Sequence, residues 1–219
     1  MGVSVIIPAR NEEAHVGAAI DSALAAGADE VLVADGGSSD ATIAIARARG
    51  ARVIEGETMR ARQVNRAARE AAHEALIFLH ADTLLPRGAA AAVEEALRGG
   101  ALFGGFRLAF REPGLRFVAA MINARTRLTR EPWGDQAQFA AREPFLRGGG
   151  YREIPIMEDY ELARRMKRAG RTIVLPLVVD TSGRRFLEQG IIRTTALNWL
   201  IIATYHCGVA PERLARWYR

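Results

Sequence analysis

Cysteine is nearly absent. Cys207 stands alone in 219 residues, so no intrachain disulfide can form and a reducing compartment suits the chain. Lysine is equally scarce: 29 of the 30 basic residues are arginine, scattered with no run of five. Basic residues do not interleave with aromatics, so the net charge of +5 is weak support for nucleic acid. No stretch of about 20 predominantly apolar residues occurs; the nearest, GIIRTTALNWLIIATYHCG, holds Arg193 and Asn198. MGVSVIIPARNEE lacks a charged leader region and its apolar run is too short for a signal peptide, so it reads as a first core strand. Linkers, repeats and low-complexity segments are missing, which favours one domain over residues 1–219. No G-x-G-x-x-G follows the first strand, which argues against NAD and FAD.

What is present is an ordinary soluble composition, 49% apolar and 25% charged, in a strongly patterned order. VSVIIP is a β-branched run ended by Pro8, and EEAHVGAAIDSALAAG places Val16, Ile20, Ala23 and Leu24 at helical spacing. EVLVAD and ARVIEG read as the next strands, separated by the helix SDATIAIARARG. An Arg-rich helix over 58–72, the strand EALIFLH and the helix PRGAAAAVEEALRGG complete the first hundred residues. Alternation with connections this short predicts a parallel sheet covered on both faces, with ligands bound outside the carboxyl ends of its strands. Those ends carry Pro8-Ala9-Arg10-Asn11, Asp35-Gly36-Gly37 and His80-Ala81-Asp82. Beyond residue 100 the spacing predicts a strand in ALFGGFRLAFR and a helix over 114–130 with Leu115, Val118, Met121, Ile122 and Leu128 on one face. A strand in DQAQFAAR, a helix in MEDYELARRMKRAG and one or two strands in TIVLPLVVDTSG come next, then a helix over 187–205 and another from Pro211.

Three segments carry the chemistry. In VADGGSSDAT, Asp35 ends a strand and two glycines let backbone approach a ligand; the carboxylate can accept from a base imide or ribose. The plainer alternative is a glycine turn with a helix cap. In HADT, Asp82 could hold Mg2+ or Mn2+ against a diphosphate, with His80 on ribose or behind the metal. Alternatively Asp82 caps the next helix and His80 is a satisfied core residue. In GGGYREIPIMEDYELARRMKRAG, Glu158 and Asp159 stand at a helix start, where the dipole favours negative charge. They are either plain helix-start residues or include a general base for an acceptor hydroxyl.

Taken in order, VSVIIPARNEE, VLVADGGSSDAT, IFLHADT and FLRGGGYREIPIMEDYELARRMKRAG resemble the successive landmarks of family 2 glycosyltransferases, from residue 3 to about 170. The resemblance implies the α/β GT-A nucleotide-diphospho-sugar transferase fold, a mainly parallel central sheet with helices on both faces. It implies a nucleotide-binding half over about 1–100, an acceptor half over about 101–186 and C-terminal helices over 187–219. Pro8, Ala9, Arg10 and Glu12 would line the nucleotide pocket, and Asp35, beside Gly36, would read the base. Asp82, after His80 and Ala81, would bind the metal that bridges the diphosphate, and Asp159, next to Glu158, would be the catalytic base. MRARQVN would bring Arg60, Gln63 and Asn65 near nucleotide and sugar; WGDQAQF would bring Gly134, Asp135 and Gln136 to the acceptor side, with Gly149. Two departures stand out. His80 occupies the place of the first carboxylate of the family's D-x-D motif, which leaves fewer metal ligands. The Q-x-x-R-W motif of processive members is missing, since SGRRF has Ser182 for glutamine and Phe186 for tryptophan. Arg184 and Arg185 remain candidates for the diphosphate.

The resulting expectation is an inverting, non-processive hexosyl transfer from a UDP- or GDP-sugar to a hydroxyl of a lipid or small-molecule acceptor, helped by Mg2+ or Mn2+. The expected location is the cytoplasm, with peripheral contact at the inner face of the membrane through Trp199 and Tyr205; packing on the domain or homodimerisation is the alternative use of that helix. Competing readings are a sugar-nucleotide-binding protein without turnover and a nucleotidyltransferase on a similar fold, although no Gly-rich loop bearing Arg or Lys follows the first strand.

Overall fold

The β-branched runs do become the centre of the molecule. The computed structural model describes residues 1–217. Its strands are β1 (Val3–Ala9), β2 (Glu30–Asp35), β3 (Arg52–Glu55), β4 (Ala75–Phe78), β5 (Thr83–Leu84), β6 (Phe103–Phe110), β7 (Phe139–Ala141) and β8 (Thr172–Thr181). All eight share one sheet in the order β3-β2-β1-β4-β7-β6-β8-β5. The first four run parallel; β7 pairs antiparallel with both β4 and β6, and β6 runs parallel to β8. The helices are α1 (Val16–Ala25), α2 (Thr42–Ala48), α3 (Arg60–Glu70), α4 (Ala89–Arg98), α5 (Arg116–Thr129), α6 (Arg142–Arg147), α7 (Glu158–Ala169), α8 (Arg184–Gln189), α9 (Ile191–His206) and α10 (Pro211–Trp217).

Side chains alternate across a strand, so each inner strand feeds two cores. Val5, Ile7, Val33 and Ile77 pack with α1, α4 and α5, whereas Ile6, Leu32, Leu76 and Phe78 pack with α3, α6 and α7. Burial on both faces explains why these strands read as unbroken apolar runs. Helices on both faces match the expected architecture.

Several boundaries differ from the sequence reading for identifiable reasons. Pro8 does not end β1; the strand runs on to Ala9, because pairing with β4 stops at Ile6–Phe78 and Pro8 forfeits no bond to that neighbour. Leu24 is 47% exposed and Leu128 85% exposed, so the buried faces of α1 and α5 are narrower than their apolar residues suggest. Only 139–141 of DQAQFAAR form a strand; Gly134–Gln136 form a 3-10 turn. TIVLPLVVDT is one strand, its register slipping opposite Phe106/Arg107. The helix expected over 187–205 is two, α8 and α9, parted at Gly190, whose φ of 86° favours glycine. Residues 218 and 219 of the expected C-terminal helices lie outside the described residues.

Candidate functional site

The ends of β1 and β2 are laced together by their loops. The Asn11 N–H donates to Ser38 Oγ, the Ser39 N–H donates to Asn11 Oδ1, and the Glu12 N–H donates to Thr42 Oγ1. Asp35, 1% exposed, accepts from the Gly37 and Ser38 N–H groups at 2.8 and 2.9 Å and from the Ser38 hydroxyl. A carboxylate offers about four lone-pair directions, so roughly one remains on Oδ1 for a ligand. Gln63, on the buried side of α3, presses its amide against Gly36, where any Cβ would collide with it; Arg10 borders the same spot. Pro8, Ala9, Arg10, Glu12, Asp35, Gly36 and Gln63 therefore gather at one strand-end cluster. Asn65 is buried and clamps Tyr151, accepting from its N–H and donating to its carbonyl at 2.8 Å each. Gly149 sits in the turn that this clamp holds, with φ 85°.

Beside this cluster lies a chamber of about 460 Å3. Arg60, His80, Asp82, Asp135, Glu158, Asp159 and Arg185 line one part of it. Arg60 donates to Glu158 Oε1 at 3.1 Å and its guanidinium also meets His80 Nε2. Burial, with the guanidinium beside it, pushes the His80 pKa well below its ordinary value, so the ring is neutral. Burial raises the Glu158 carboxyl, against the pull of Arg60. The backbone of Gly134 is pinched into the same place: a Cβ there would lie 2.8 Å from His80 Nε2 and 3.0 Å from Asp159 Oδ2. Its N–H donates to Asp159 Oδ2 at 2.7 Å, and Oδ1 accepts from the Tyr160 N–H at 2.7 Å. Met157, in the left-handed region at φ 71°, turns the chain sharply into α7 just before the two carboxylates. Glu12 joins the two regions, since its carboxyl feels both Asp82 and Arg184, although burial is what chiefly raises its pKa.

Asp82 lines the chamber, and its Oδ1 accepts a long contact from the Thr83 hydroxyl at 3.5 Å. Among the described residues no group of three His, Cys, Asp or Glu side chains is placed to hold a metal. His80 already faces Arg60. One carboxylate plus substrate phosphate oxygens is nonetheless a common way to bind Mg2+. The residues fit an ion that comes with a diphosphate, and do not form a protein-only site.

The residues expected on the acceptor side lie in different settings. Asp135 lines the chamber, with Oδ1 sealed from solvent and without a hydrogen-bond partner among the described residues, and burial raises its pKa to about 6. Gln136 instead is fully buried and ties the turn to the frame: its Oε1 accepts from Thr126 and its Nε2 donates to the Phe106 carbonyl. Arg185 lines the chamber and Arg184 lies on the Glu12 side. Arg125 and Trp133 escaped the sequence reading. The guanidinium of Arg125 stacks 3.4 Å from the centre of the Trp133 ring, and burial lowers its pKa to about 10. A signal existed: Val118, Met121, Ile122 and Arg125 fall at i, i+3, i+4 and i+7 on one stripe.

A parallel sheet with such a cleft at its strand ends, extended by a mixed half, defines the GT-A class of glycosyltransferases. The model for "Glycosyl transferase family 2" matches residues 4–143, and the chain belongs to that family. No curated protein matches the chain. Solved structures with the same fold include S. aureus TarS 1–349 in complex with UDP, 18% identical, TM-score 0.68, covering 83% of this chain and 60% of that one. Another is M. tuberculosis glucosyl-3-phosphoglycerate synthase in complex with Mn2+ and UDP-glucose, 21% identical, TM-score 0.59, covering 82% and 70%. The chain spans only 37% of the longer TarS structure. Among the described residues no helix is long and apolar enough to cross a membrane.

Proposed function

We propose that this glycosyltransferase performs inverting, non-processive transfer of a hexosyl group from a nucleoside-diphosphate sugar to an acceptor hydroxyl, with Asp159 as base. The observation that carries the reading is the convergence of Asp82 and Asp159, from β-strand end and helix start, on one chamber. Asp159 takes the acceptor proton as the acceptor oxygen bonds to the anomeric carbon. The carbon–oxygen bond to the diphosphate breaks on the opposite side, and its electron pair leaves with the diphosphate. The N–H of Gly134 holds the Asp159 carboxylate in place. Arg185, in the chamber with Asp82, and Arg184, whose charge acts on Glu12 as that of Asp82 does, would neutralise charge gathering on a leaving diphosphate. A divalent ion held by Asp82 would supply further charge neutralisation on that diphosphate. UDP is the favoured nucleotide because the TarS and synthase structures hold UDP or UDP-sugars.

The test is Asp159→Asn. Turnover falls roughly 10²- to 10⁴-fold while UDP-sugar still raises the melting temperature. Near-normal turnover removes Asp159 from the role. In the parent protein, UDP-sugar should stabilise more with Mn2+ than without it, and Mn2+ alone should do little.

The lone exposed Cys207 supports a cytoplasmic location. Trp199 is 57% exposed on α9 beside outward-facing Ile192 and Leu200, whereas Tyr205 packs against Tyr160. The proposed membrane contact therefore rests on Trp199, not on Tyr205. Flotation with anionic vesicles tests it, and light scattering tests dimerisation through the same face.

A further inference from the structure

The chamber extends well beyond the carboxylates, and its far part has a different chemistry. Val118, Met121 and Ile122 of α5 face Ile201 and Ile202 of α9, with Phe110 and Phe186 closing the sides. Such walls disfavour a hydrated sugar or a phosphate, whose polar groups would lose water without replacement. Yet they are not wholly apolar. Seven buried side-chain polar atoms lack a hydrogen-bond partner among the described residues, and five belong to residues lining this chamber: Arg125 Nε, Trp133 Nε1, Asp135 Oδ1, Thr194 Oγ1 and Thr195 Oγ1. Each such group costs about 1–3 kcal/mol when left unmade; all five atoms are sealed, so a molecule in the chamber pairs with them only as their side chains turn toward it. The charges are already matched. Arg60 pairs with Glu158, Arg125 lies on Trp133 with the Asp135 and Asp159 charges acting on it, and Arg185 stands in the chamber with Asp82. An anion entering here would meet carboxylates.

We infer that the acceptor is a neutral, hydroxyl-bearing molecule with a compact apolar body, seated between α5 and α9 with its hydroxyl toward Asp159. The inference rests on the transferase reading above and names the acceptor class of that same site. Apolar walls hold the body; the Arg125, Trp133 and Thr195 groups orient its oxygen atoms. Such a pocket has the usual make-up of a small-molecule site, mostly apolar with a few placed polar groups.

The test uses the full chain with UDP-glucose or UDP-GlcNAc and Mn2+, reading UDP release, with geraniol and 1-naphthol as probes and 3-phosphoglycerate as the anionic control. Both alcohols should quench tryptophan fluorescence, because Trp133 and Trp199 line the chamber, and should speed UDP release roughly tenfold or more over the acceptor-free rate. Ile122→Trp, which fills the chamber, should raise the KM for either alcohol by about tenfold or more. Should that variant fold poorly, Thr195→Val should still raise it roughly three- to tenfold by removing one hydroxyl. UDP release stimulated by 3-phosphoglycerate and by neither alcohol overturns the inference and leaves the transferase reading standing. So does the absence of quenching and stimulation by both alcohols at about 1 mM, the upper end of ordinary KM values. A protein whose melting temperature ignores UDP-glucose, UDP-GlcNAc, GDP-mannose and their parent diphosphates, with and without Mn2+, removes both readings together.

Discussion

The parallel half and the C-terminal helices are built on opposite terms. In β1, β2 and β4 nearly every residue is sealed, whereas α8 buries none of its side chains and α9 only Thr194 and Ile201. The first is a frame that holds a strand-end cluster to tight tolerance. The second is a roof over a chamber, hinged at Gly190 and fastened at its far end where the Tyr160 hydroxyl meets His206 Nε2 at 2.7 Å. On the proposed reading, donor chemistry belongs to the frame and acceptor selection to the space under the roof.

Substitutions ordered by size probe that contrast. Ile77→Ala empties a site enclosed on β4 and should cost about 2–5 kcal/mol in denaturant unfolding. A smaller loss would mean that the frame is looser than its burial implies. Arg60→Ala, at the seam between α3 and α7, strips Glu158, only 7% exposed, of its partner and should cost about 1–3 kcal/mol at neutral pH. That cost should shrink on acidification, as the Glu158 carboxyl, already raised by burial, takes up a proton. Asp135→Asn acts the other way. Because the folded-state pKa of Asp135 is raised from 3.8 to about 6, its protonated form favours the fold; this advantage is complete below 3.8 and is lost as pH rises through 6. The melting temperature of Asp135→Asn relative to the parent should therefore climb between pH 4 and pH 7, and a flat difference would show that the carboxyl is solvated. Ile192→Ser, on the 86% exposed outer face of α9, should change stability by less than about 0.5 kcal/mol. A large loss there would show that the roof is covered in solution.

The same contrast decides what could be read from residues alone. β1, β2 and β4 were legible because strands buried on both faces leave unbroken apolar runs, whereas the edge strand β3, RVIE, shows only its two β-branched residues. β5, two residues long, and α6, a six-residue turn, leave too short a period to detect. Asn65 and Gln136 carry bonds that no motif shows, because a polar side chain looks the same in sequence whether it meets a ligand or locks two segments together; the clamp on Tyr151 and the bonds to Thr126 and Phe106 come from the structure. The chamber itself was hidden. Its walls come from β6, α5, the turn at 134–136, α7 and α9, and no local pattern reports contact across such separations.

The position of β4 has a consequence for synthesis. One of its edges is covered by β1, but the other waits for residues 139–141, which the ribosome delivers only after α5 and the turn that follows it. Until then the nascent chain displays a naked, wholly apolar ladder rung that invites pairing with other chains. Fragments ending near residue 130 should precipitate rather than survive as free donor-binding modules, and expression of such fragments should depend on chaperones that shield that edge.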